Sequence, residues 1–547
     1  MEGYLALVLH AHLPYVRHPE YEDSLEENWL FEAITETYIP LFLMMEGLIE
    51  DGIDFRLTFS LTPTLASMLL DPLLQERYLK KLERTIELAE KEIARTASLP
   101  DFQPLARMYH RLFRQVHDAF VNRYEKNLVR GFERFAKTGK VEIISSAATH
   151  GYLPLLSVNE AAVRAQIGIG VEHYRRTFGQ PPQGFWLPEC GYYPGVDAIL
   201  RQNGIRHTIV ETHGVTRADH RPRFGVYAPI VCPSGVAVFG RDPDSSRQVW
   251  SSAVGYPGDF DYREFYRDIG HDLNLDYIRP YIHRDGIRID TGIKYYRTTG
   301  KGSHKEPYVP EWAEQKAAAH ARHFLAERIK QVQSLSSAMD RRPVVVAPYD
   351  AELFGHWWFE GPRWLDYLIR GIALDQSTIR LVTLSEYLDE YPVNQCATPA
   401  ASSWGHDGFS QVWLNGENDW IYRHLQRGAE RMEELIAAHS QATGLTLQAL
   451  NQASRELLLA QSSDWAFMIA SGTMREYATR RTKTHLKRLL QLGQQIDSGI
   501  IDEAALQNLE DQDNIFAGMS TAAAFASEGK VTRQEVAASD PASAGSG

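Results

Sequence analysis

The stretch "VVVAPYDAELFGHWW", from Val344 to Trp358, joins an apolar run to a polar, aromatic one. The apolar part is β-branched and short, as in a buried strand, and it stops at Pro348. An aspartate, a glutamate, a histidine and two tryptophans follow directly. We therefore predict a buried strand that carries titratable side chains at its carboxyl end.

Six other runs in the chain have the same apolar character. Helical patterns lie between most of them, for example at 32–52 and 195–204. This alternation predicts an α/β fold with a parallel sheet and right-handed crossovers. We prefer a closed or nearly closed barrel, with an open doubly wound sheet as the alternative. The seven predicted strands are 4–10, 55–60, 141–147, 183–188, 207–211, 343–348 and 379–384.

Titratable side chains follow most of these predicted strands. In parallel α/β folds the functional groups gather where the carboxyl ends of the strands meet. Each residue alone has an ordinary structural explanation, which we prefer for Glu211 and His213 taken singly. The presence of titratable residues after most of the predicted strands nevertheless predicts one polar pocket. The residues are His10 and His12 after the first strand, His150 after the third, Glu189 after the fourth, Glu211 and His213 after the fifth, and Asp350 after the sixth.

Glu189 and Asp350 are the candidate acid and base. Both follow an apolar strand and have aromatic neighbours, and burial of that kind raises the pKa of a carboxyl group. If both face one pocket, they form the carboxylate pair of a glycosidase, in which one is the nucleophile and the other the general acid and base. Taken alone, each could equally be a structural carboxylate bonded to a loop.

The histidines allow a zinc-dependent hydrolase as an alternative. His10, His12, His150 and His213, with Asp350, are residue types that bind zinc or a pair of divalent ions. Along a continuous strand the rings of His10 and His12 would point to opposite faces, so both reach the pocket only if the strand ends or bends there. Imidazoles are also common hydrogen-bond partners of hydroxyl groups. We therefore prefer a site without metal.

Several tryptophans lie in polar, glycine-containing stretches. The segment 402–420 contains Trp404, Trp413 and Trp420 among amides and carboxylates, and "SSDWAFM" adds Asp464 and Trp465. Aromatic rings stack on the apolar faces of sugars, while polar groups bind the hydroxyls. These residues are therefore candidates for binding a sugar chain. For Trp420 and Trp465, anchoring of a helical domain is the alternative.

Composition narrows the class of protein. The 547 residues include 57 basic and 70 acidic side chains, a net charge of −13, and no long run of lysine and arginine. Nucleic acid and anionic membranes are therefore poor candidate partners. No apolar span of membrane length occurs, and the N-terminus lacks the features of a signal peptide, so we expect a cytoplasmic protein. Three widely separated cysteines indicate reduced thiols.

The chain is long enough for several units. The sequence pattern of residues 214–292 is typical of turns and short strands. Residues 401–517 have helical periodicity, and residues 518–547 are rich in alanine, serine and glycine. We predict a catalytic barrel at 1–213 and 293–400, an inserted subdomain at 214–292, a helical C-terminal domain at 401–517 and a disordered tail at 518–547.

Five segments together resemble a known family. In order and spacing they resemble the five sequence regions of glycoside hydrolase family 57, and the long forms of two of them look most like its 1,4-alpha-glucan branching enzymes. The resemblance extends to about residue 515. The segments are "HAHLP" (10–14), "THGYLP" (149–154), "WLPECGY" (186–192), "APYDAELFGHWW" (347–358) and "SSWGHDG" (402–408).

The resemblance implies a distorted (β/α)7 barrel with an inserted domain, a retaining mechanism without metal or cofactor, and an α-glucan such as amylose, amylopectin or glycogen as substrate. It implies that Glu189 is the nucleophile and Asp350 the proton donor and base, and it gives Glu352 no catalytic role. The substrate-binding positions that it implies are His10, His12, Trp29, His150, Arg263, Gly292, Trp404, Trp413, Asp464 and Trp465.

One departure bears on the outcome of the reaction. The resemblance implies a tyrosine on a mobile loop of the inserted domain, which shields the glycosyl-enzyme from water. The corresponding stretch Val231–Pro243 has none, and the nearest are Tyr227 and Tyr256. Transfer to a sugar 6-hydroxyl and hydrolysis by water are therefore both expected outcomes. An α-1,4-glucan hydrolase is the main alternative, and a non-catalytic glucan-binding protein is a further one.

Overall fold

A computed structural model describes residues 1–251, 255–300, 302 and 304–525. Its strands form one twisted, mostly parallel sheet. The strands are β1 (Gly3–Ala11), β2 (Leu57–Leu61), β3 (Val141–Ser146), β4 (Gly184–Trp186), β5 (His207–Val210), β6 (Ile230–Val231), β7 (Ala237–Gly240), β8 (Val344–Asp350), β9 (Ile379–Leu381) and β10 (Gln395–Cys396).

The parallel strands follow the path β7-β5-β4-β3-β2-β1-β8. The two ends of this path meet, because the Asp242 N–H donates to the Val346 carbonyl at 2.9 Å. The sheet therefore curls into a distorted barrel of seven strands, as the sequence predicts. β9 pairs with the start of β1, and β6 joins β7 in an antiparallel pair.

The strands of the barrel path are buried on both faces, which explains their nearly continuous apolar sequences. In β1, Tyr4, Ala6 and Val8 belong to the core inside the barrel, together with Trp186. The alternate residues of β1 pack outward against the surrounding helices. Since side chains alternate along a strand, the residue after Val8 on the inner face is His10.

Helices surround the barrel and connect its strands. Several begin at side-chain caps, for example Asp71, which accepts from the Leu74 N–H, and Asn159, which accepts from the Ala162 N–H. The helices are α1 (Glu27–Ala33), α2 (Ile39–Glu50), α3 (Pro63–Leu70), α4 (Pro72–Arg95), α5 (Gln103–Asp118), α6 (Leu128–Lys137), α7 (Leu153–Leu156), α8 (Glu160–Phe178), α9 (Val196–Gln202), α10 (Thr212–Thr216), α11 (Pro243–Trp250), α12 (Ile269–Asp272), α13 (Leu275–Ile278), α14 (Pro310–Ser336), α15 (Gly361–Leu374) and α16 (Leu384–Glu390).

The C-terminal region is helical, as predicted. Helices α18 (Gly444–Ala460) and α20 (Arg475–Ser498) pack against each other, and both contribute buried leucines, among them Leu457 and Leu489. The short helix α19 (Ser463–Ser471) lies between these two helices in sequence, and its first turn reaches the barrel. The helices are α17 (Trp420–Ala438), α18 (Gly444–Ala460), α19 (Ser463–Ser471), α20 (Arg475–Ser498), α21 (Glu503–Gln512) and α22 (Thr521–Ala524). Among the described residues, no helix combines the length and apolar character needed to cross a membrane.

Two strand predictions need correction. The predicted last strand, 379–384, forms only the short β9, which pairs with the start of β1 and lies off the barrel path. The seventh barrel strand is instead β7, within the range 214–292 that the sequence assigns to an inserted subdomain. The sequence did not identify β7 as a barrel strand because it has only four residues and lies between turns. The predicted domain boundaries stay a prediction.

The stretch 231–243 is not a loop over the pocket. It contains the end of β6, a tight turn closed by the Cys232 N–H and the Val236 carbonyl at 2.8 Å, and β7. The turn precedes β7 and therefore lies at the amino edge of the parallel sheet, opposite the predicted pocket. A tyrosine in this turn could not shield a reaction at the carboxyl edge. Residues 241–243, which follow β7, lie at that edge and contain no tyrosine, so transfer and hydrolysis both stay expected outcomes.

The first part of the predicted disordered tail is ordered. Met519 and Phe525 are buried, and the Thr521 hydroxyl donates to Asn451 Oδ1 at 2.7 Å. Apolar side chains among the small residues explain this packing. The remainder, 526–547, lies outside the described residues.

Candidate active site

The base of the site is formed by side chains that point into the barrel. His10 and Asp350 are paired in register across β1 and β8, so their side chains lie side by side at the carboxyl edge. The ring of His10 stacks on Trp186 of β4, with centroids 4.5 Å apart. β1 ends at Ala11, which allows His12 also to turn toward the site. Because the strand ends between them, His10 and His12 both reach one pocket.

Glu189 lies in a strained turn just after β4. Its backbone adopts φ 61° and ψ 25°, in the left-handed region, and Cys190 follows with φ 51°. Such conformations cost about 1–3 kcal/mol and persist where the surroundings hold them. The Trp404 N–H donates to the Glu189 carbonyl at 2.9 Å. This contact helps fix the turn that presents the carboxylate.

The Glu189 carboxylate accepts two hydrogen bonds from the C-terminal part of the chain. Trp404 Nε1 donates to Oε2 at 2.7 Å, and the Ser463 hydroxyl donates to Oε1 at 2.8 Å. Burial raises the pKa of Glu189, whereas the bond from Trp404 opposes that rise. The two donors stabilise the ionised form and orient it, as a nucleophile requires.

The Asp350 carboxyl has a different environment. Burial raises its pKa well above the ordinary value, and the nearby charges of Glu352 and Glu189 raise it further. No hydrogen bond from another described residue reaches this carboxyl group. Asp350 therefore holds its proton in a range where an ordinary aspartate has lost it, and such a group can act as a general acid.

Glu352, two residues after Asp350, is held by hydrogen bonds to one of its carboxylate oxygens. Its Oε1 accepts from the Tyr38 hydroxyl at 2.5 Å and from the His12 N–H at 3.2 Å. Burial raises the pKa of Glu352, and the bond from Tyr38 lowers it. Its charge helps to keep the proton on Asp350, which is a supporting function.

A chain of hydrogen bonds connects two histidines to Glu189. Because the Ser463 hydroxyl donates to Glu189, it accepts from His150 Nδ1, 2.9 Å away. A neutral His150 then accepts at Nε2 from His10 Nε2, at 3.1 Å. His10 Nδ1 in turn accepts from the Ser60 hydroxyl at 3.0 Å. This pattern assigns a single tautomer to each ring.

The three histidines differ in charge. Burial, together with the neighbouring His12, lowers the pKa of His10 and of His150 well below the ordinary value, so both rings are neutral. Burial would also lower the pKa of His12, but the Asp464 carboxylate, 3.1 Å from its Nε2, outweighs this and raises it. The site thus contains two neutral imidazoles and a third, His12, whose protonated form Asp464 favours.

His12, His150 and Asp464 also form the group that a zinc mechanism would use. Their candidate ligand atoms lie within 4.8 Å of one another. His12 Nε2 is bonded to Asp464, and His150 Nδ1 to Ser463, so a metal would replace these bonds. His213 lies apart from this group, because its Nε2 contacts the Gly408 carbonyl at 2.7 Å.

The predicted tryptophans Trp404, Trp413 and Trp465 have two kinds of environment. Trp404 is half-buried beside Glu189, and it also contacts His10 edge-on. Trp413 and Trp465 are only 2% and 1% exposed: Trp413 stacks on Tyr152, and Trp465 Nε1 donates to the Leu459 carbonyl. Since no ring face of these two is open, Trp413 packs against the barrel segment at Tyr152 and Trp465 packs within the helical region. Sugar contact by either stays a prediction.

Trp29, Arg263 and Gly292 contact residues other than Glu189 and Asp350. Trp29 is half-buried, and its ring meets Tyr477 at 5.9 Å. Arg263 Nη2 lies 3.8 Å from Glu36 Oε2. Gly292 has φ 84°, and a Cβ added there would lie 3.5 Å from Glu36 Oε1. Arg263 and Gly292 are thus brought together at Glu36.

Glu211 serves its own loop, as its structural interpretation suggests. It accepts from the Thr212 N–H at 2.8 Å and pairs with Arg241 Nη1 at 3.0 Å. Arg241 also lies over the ring of Trp404, 5.6 Å from its centroid. Glu211 therefore contacts the site through Arg241, which lies over Trp404.

Sequence reasoning missed Ser463, Tyr38 and Arg241. Tyr38 and Arg241 contact site residues far from them in sequence, and nothing in their local sequence marks them. Ser463 is the one with a usable indication, since it adjoins the predicted Asp464 in "SSDW". It lies 274 positions from Glu189, so only the docking of α19 onto the barrel brings the two together.

Comparison with known proteins identifies the family. The sequence model of glycosyl hydrolase family 57 matches residues 6–399, which is most of the chain. The chain belongs to glycosyl hydrolase family 57. The predicted membership, and with it the prediction that the chain is an enzyme, is confirmed. A second model, that of the 1,4-alpha-glucan branching enzyme C-terminal region, matches residues 424–523.

The similar proteins include branching enzymes and an alpha-amylase. A 1,4-alpha-glucan branching enzyme of Thermococcus kodakarensis is 34% identical, covering 94% of this chain and 78% of its own. The solved GH57-type branching enzyme of Pyrococcus horikoshii is 33% identical with a TM-score of 0.86, over 96% and 97% of the two chains. The alpha-amylase AmyC of Thermotoga maritima is 47% identical with a TM-score of 0.90, over 96% of this chain and 100% of that one.

Proposed function

We propose that this family 57 enzyme is a 1,4-alpha-glucan branching enzyme acting on amylose, amylopectin or glycogen. The observation that carries the proposal is the participation of the C-terminal region in the site. Residues 424–523 match the C-terminal region of branching enzymes, and this region supplies Ser463 to Glu189 and Asp464 to His12. The part of the chain that resembles branching enzymes is thus in contact with the proposed nucleophile.

In the first half of the reaction, Glu189 attacks the anomeric carbon of an α-1,4 bond. The bond between this carbon and the glycosidic oxygen breaks, and Asp350 gives its proton to the departing oxygen. The raised pKa of Asp350 favours this donation, and the hydrogen bonds from Trp404 and Ser463 keep Glu189 ionised before attack. The product is a glycosyl ester on Glu189 with its anomeric configuration inverted once.

In the second half, a 6-hydroxyl of another glucan chain attacks the same carbon. The ionised Asp350 takes the hydroxyl proton, the ester bond to Glu189 breaks, and an α-1,6 branch is formed. Two inversions give net retention. In this structure the ring nitrogens of His10, His12 and His150 are all engaged with protein groups, so these rings position Ser463 and Asp464 near the reacting carbon. Direct contact of the three rings with sugar hydroxyls stays a prediction.

Hydrolysis of α-1,4-glucans is the second candidate function. It is favoured by the identity of 47% to the alpha-amylase AmyC of Thermotoga maritima, which exceeds the 33% to the Pyrococcus horikoshii branching enzyme. Both functions use the same glycosyl ester, and they differ only in whether water or a 6-hydroxyl reaches it.

Incubation of linear amylose with the protein separates the two candidates. Proton NMR counts new α-1,6 linkages, and a reducing-sugar assay counts new chain ends. Branching predicts α-1,6 linkages in clear excess over new reducing ends, whereas new reducing ends without α-1,6 linkages would leave a hydrolase. Glu189→Gln is the control, because it keeps the shape of the site and removes the nucleophile.

The two remaining alternatives have their own tests. Full activity after exhaustive chelation would exclude a zinc-dependent hydrolase, whereas loss of activity with recovery on adding zinc would support it. A non-catalytic glucan-binding protein would retain amylose without changing it.

A further inference from the structure

A second cavity lies outside the catalytic site, between the segment 255–261 and the first turns of α14. Its volume is about 840 Å³, within the range of roughly 300–1,000 Å³ typical of small-molecule sites. Trp312 lines it with 49% of its surface exposed. A half-exposed tryptophan in a concave surface is unusual for a residue that only packs a core.

The polar groups around Trp312 suit hydroxyl groups. Lys316 Nζ lies 3.1 Å from Asp261 and 3.5 Å from Asp259, so its charge is balanced within the cavity. Burial lowers the pKa of His320 to about 4, which leaves this ring neutral. Gln315 adds an amide donor and acceptor. Since two carboxylates face one ammonium group, the cavity disfavours anions and offers donors and acceptors to a neutral polyol.

The wall of the cavity is fixed before any ligand binds. The Tyr256 hydroxyl is bonded to His323 Nδ1 at 2.7 Å, and its ring stacks on His320 with centroids 4.5 Å apart. His320 Nδ1 is bonded in turn to the Tyr262 hydroxyl at 2.8 Å. A preformed wall reduces the entropy lost on binding.

The cavity faces the same side of the barrel as the active site. α14 leads into β8, whose carboxyl end carries Asp350. Because the helix runs antiparallel to the strand that follows it, its first turn lies near the carboxyl edge of the sheet. Trp312, in this first turn, is thus on the outer rim of the catalytic face.

We propose that this cavity is a second, non-catalytic binding site for a neutral α-glucan chain, with Trp312 as the ring on which a glucosyl unit stacks. The inference rests on the proposed α-glucan substrate and adds a site that is separate from the carboxylates. Its function is to hold a long chain on the rim of the catalytic face while another part of a polymer reacts.

The test measures binding without turnover, in the Glu189→Gln protein. Affinity electrophoresis in gels that contain glycogen gives a dissociation constant for the polymer. Adding Trp312→Ala weakens retention by about fivefold to tenfold, the loss expected for one stacking ring. Adding Trp312→Phe restores part of it. The matched control is Leu374→Ala, which removes a 66% exposed apolar side chain from the far end of α15 and leaves retention unchanged.

Unchanged retention by glycogen in the Trp312→Ala protein overturns the second site. Equal loss of retention in gels that contain a neutral β-glucan overturns its assignment to α-glucans. In the active protein, Trp312→Ala raises the KM for amylose and leaves kcat on a short maltooligosaccharide unchanged. A fall in kcat on the short substrate would also contradict a separate site.

If the parent protein branches amylose and Trp312→Ala changes nothing, only this inference fails. If the parent protein neither binds nor alters any α-glucan, the proposed function fails as well.

Discussion

Two buried groups of carboxylates and histidine can be compared in this protein, one at the active site and one in the helical region. In the helical region, Glu456 Oε2 lies 2.6 Å from His485 Nδ1, and Asp513 Oδ2 lies 2.5 Å from Arg488 Nη1. Arg481 lies 3.7 Å from Asp513. Each carboxylate there has a hydrogen-bonded partner. Burial raises the pKa of both carboxyl groups, and Arg481 and Arg488 oppose that rise.

The active-site group is much less balanced. Glu189, Asp350 and Glu352 lie close enough for their charges to interact, and the cations that act on Asp350 are His12 and Arg241. Excess negative charge raises the pKa of Asp350 and keeps a proton available for transfer. The difference teaches that burial alone does not make a carboxylate catalytic. A balanced group holds helices together, whereas an unbalanced one supplies a proton.

The comparison predicts that Asp350→Asn has the largest effect on the reaction and almost none on the fold. Loss of the general acid lowers kcat on amylose by about 10³-fold or more. Fluoride leaves without protonation, so the first release of fluoride from an α-glucosyl fluoride falls far less. Rates on both substrates are measured together with the melting temperature. Equal losses on the two substrates would contradict the assignment of Asp350 as the acid.

Glu456→Gln is predicted to lower the stability of the fold strongly and to change the reaction very little. Removing one partner of a buried, balanced ion group costs about 3–5 kcal/mol in the free energy of unfolding. Urea unfolding measures this loss, while kcat of the folded protein stays close to the parent value. Glu510→Gln is the matched control, because its carboxylate is a quarter exposed and lies 3.9 Å from Arg455. That control changes stability by about 0.5 kcal/mol or less. A Glu456→Gln protein of parental stability would show that the group is not structural.

The smallest predicted effect is a shift in pH dependence for Glu352→Gln. The amide can still accept from Tyr38 and His12, but the negative charge beside Asp350 is lost. Ionisation of Asp350 then becomes easier, so its pKa falls, and activity is lost at a lower alkaline pH than in the parent. The pH profile of kcat/KM on amylose measures the shift, which we expect to be about one pH unit. An unchanged or raised alkaline limit would show that Glu352 does not act on Asp350.

The fold was predictable where strands are long, apolar and followed by titratable residues. The runs that end at His10, Glu189 and Asp350 could be recognised because a buried parallel strand needs a continuous apolar sequence. The run at 237–240 could not, since four residues between turns have no detectable period. Its position in the sheet is fixed by pairing with β5, which is a long-range interaction.

The site was predictable in part for the same reason. Local sequence indicates which carboxylates follow strands, but it does not show which charges surround them. Glu456 and His485 look like solvated residues of helices, and only the packing of α18 against α20 buries them. Ser463 likewise becomes a partner of Glu189 only when α19 docks onto the barrel. Contacts between distant segments therefore decide which group is structural and which is reactive.

The most direct test of this account is to trap the glycosyl-enzyme. A 5-fluoro α-glucosyl fluoride reacts with the nucleophile of a retaining enzyme, and its second fluorine slows breakdown of the ester. Tryptic digestion and mass spectrometry then locate the sugar. The account predicts the label in the peptide Thr177–Arg201, on Glu189. A label in Arg342–Arg363, on Asp350 or Glu352, would contradict it, as would release of fluoride with no label on the protein.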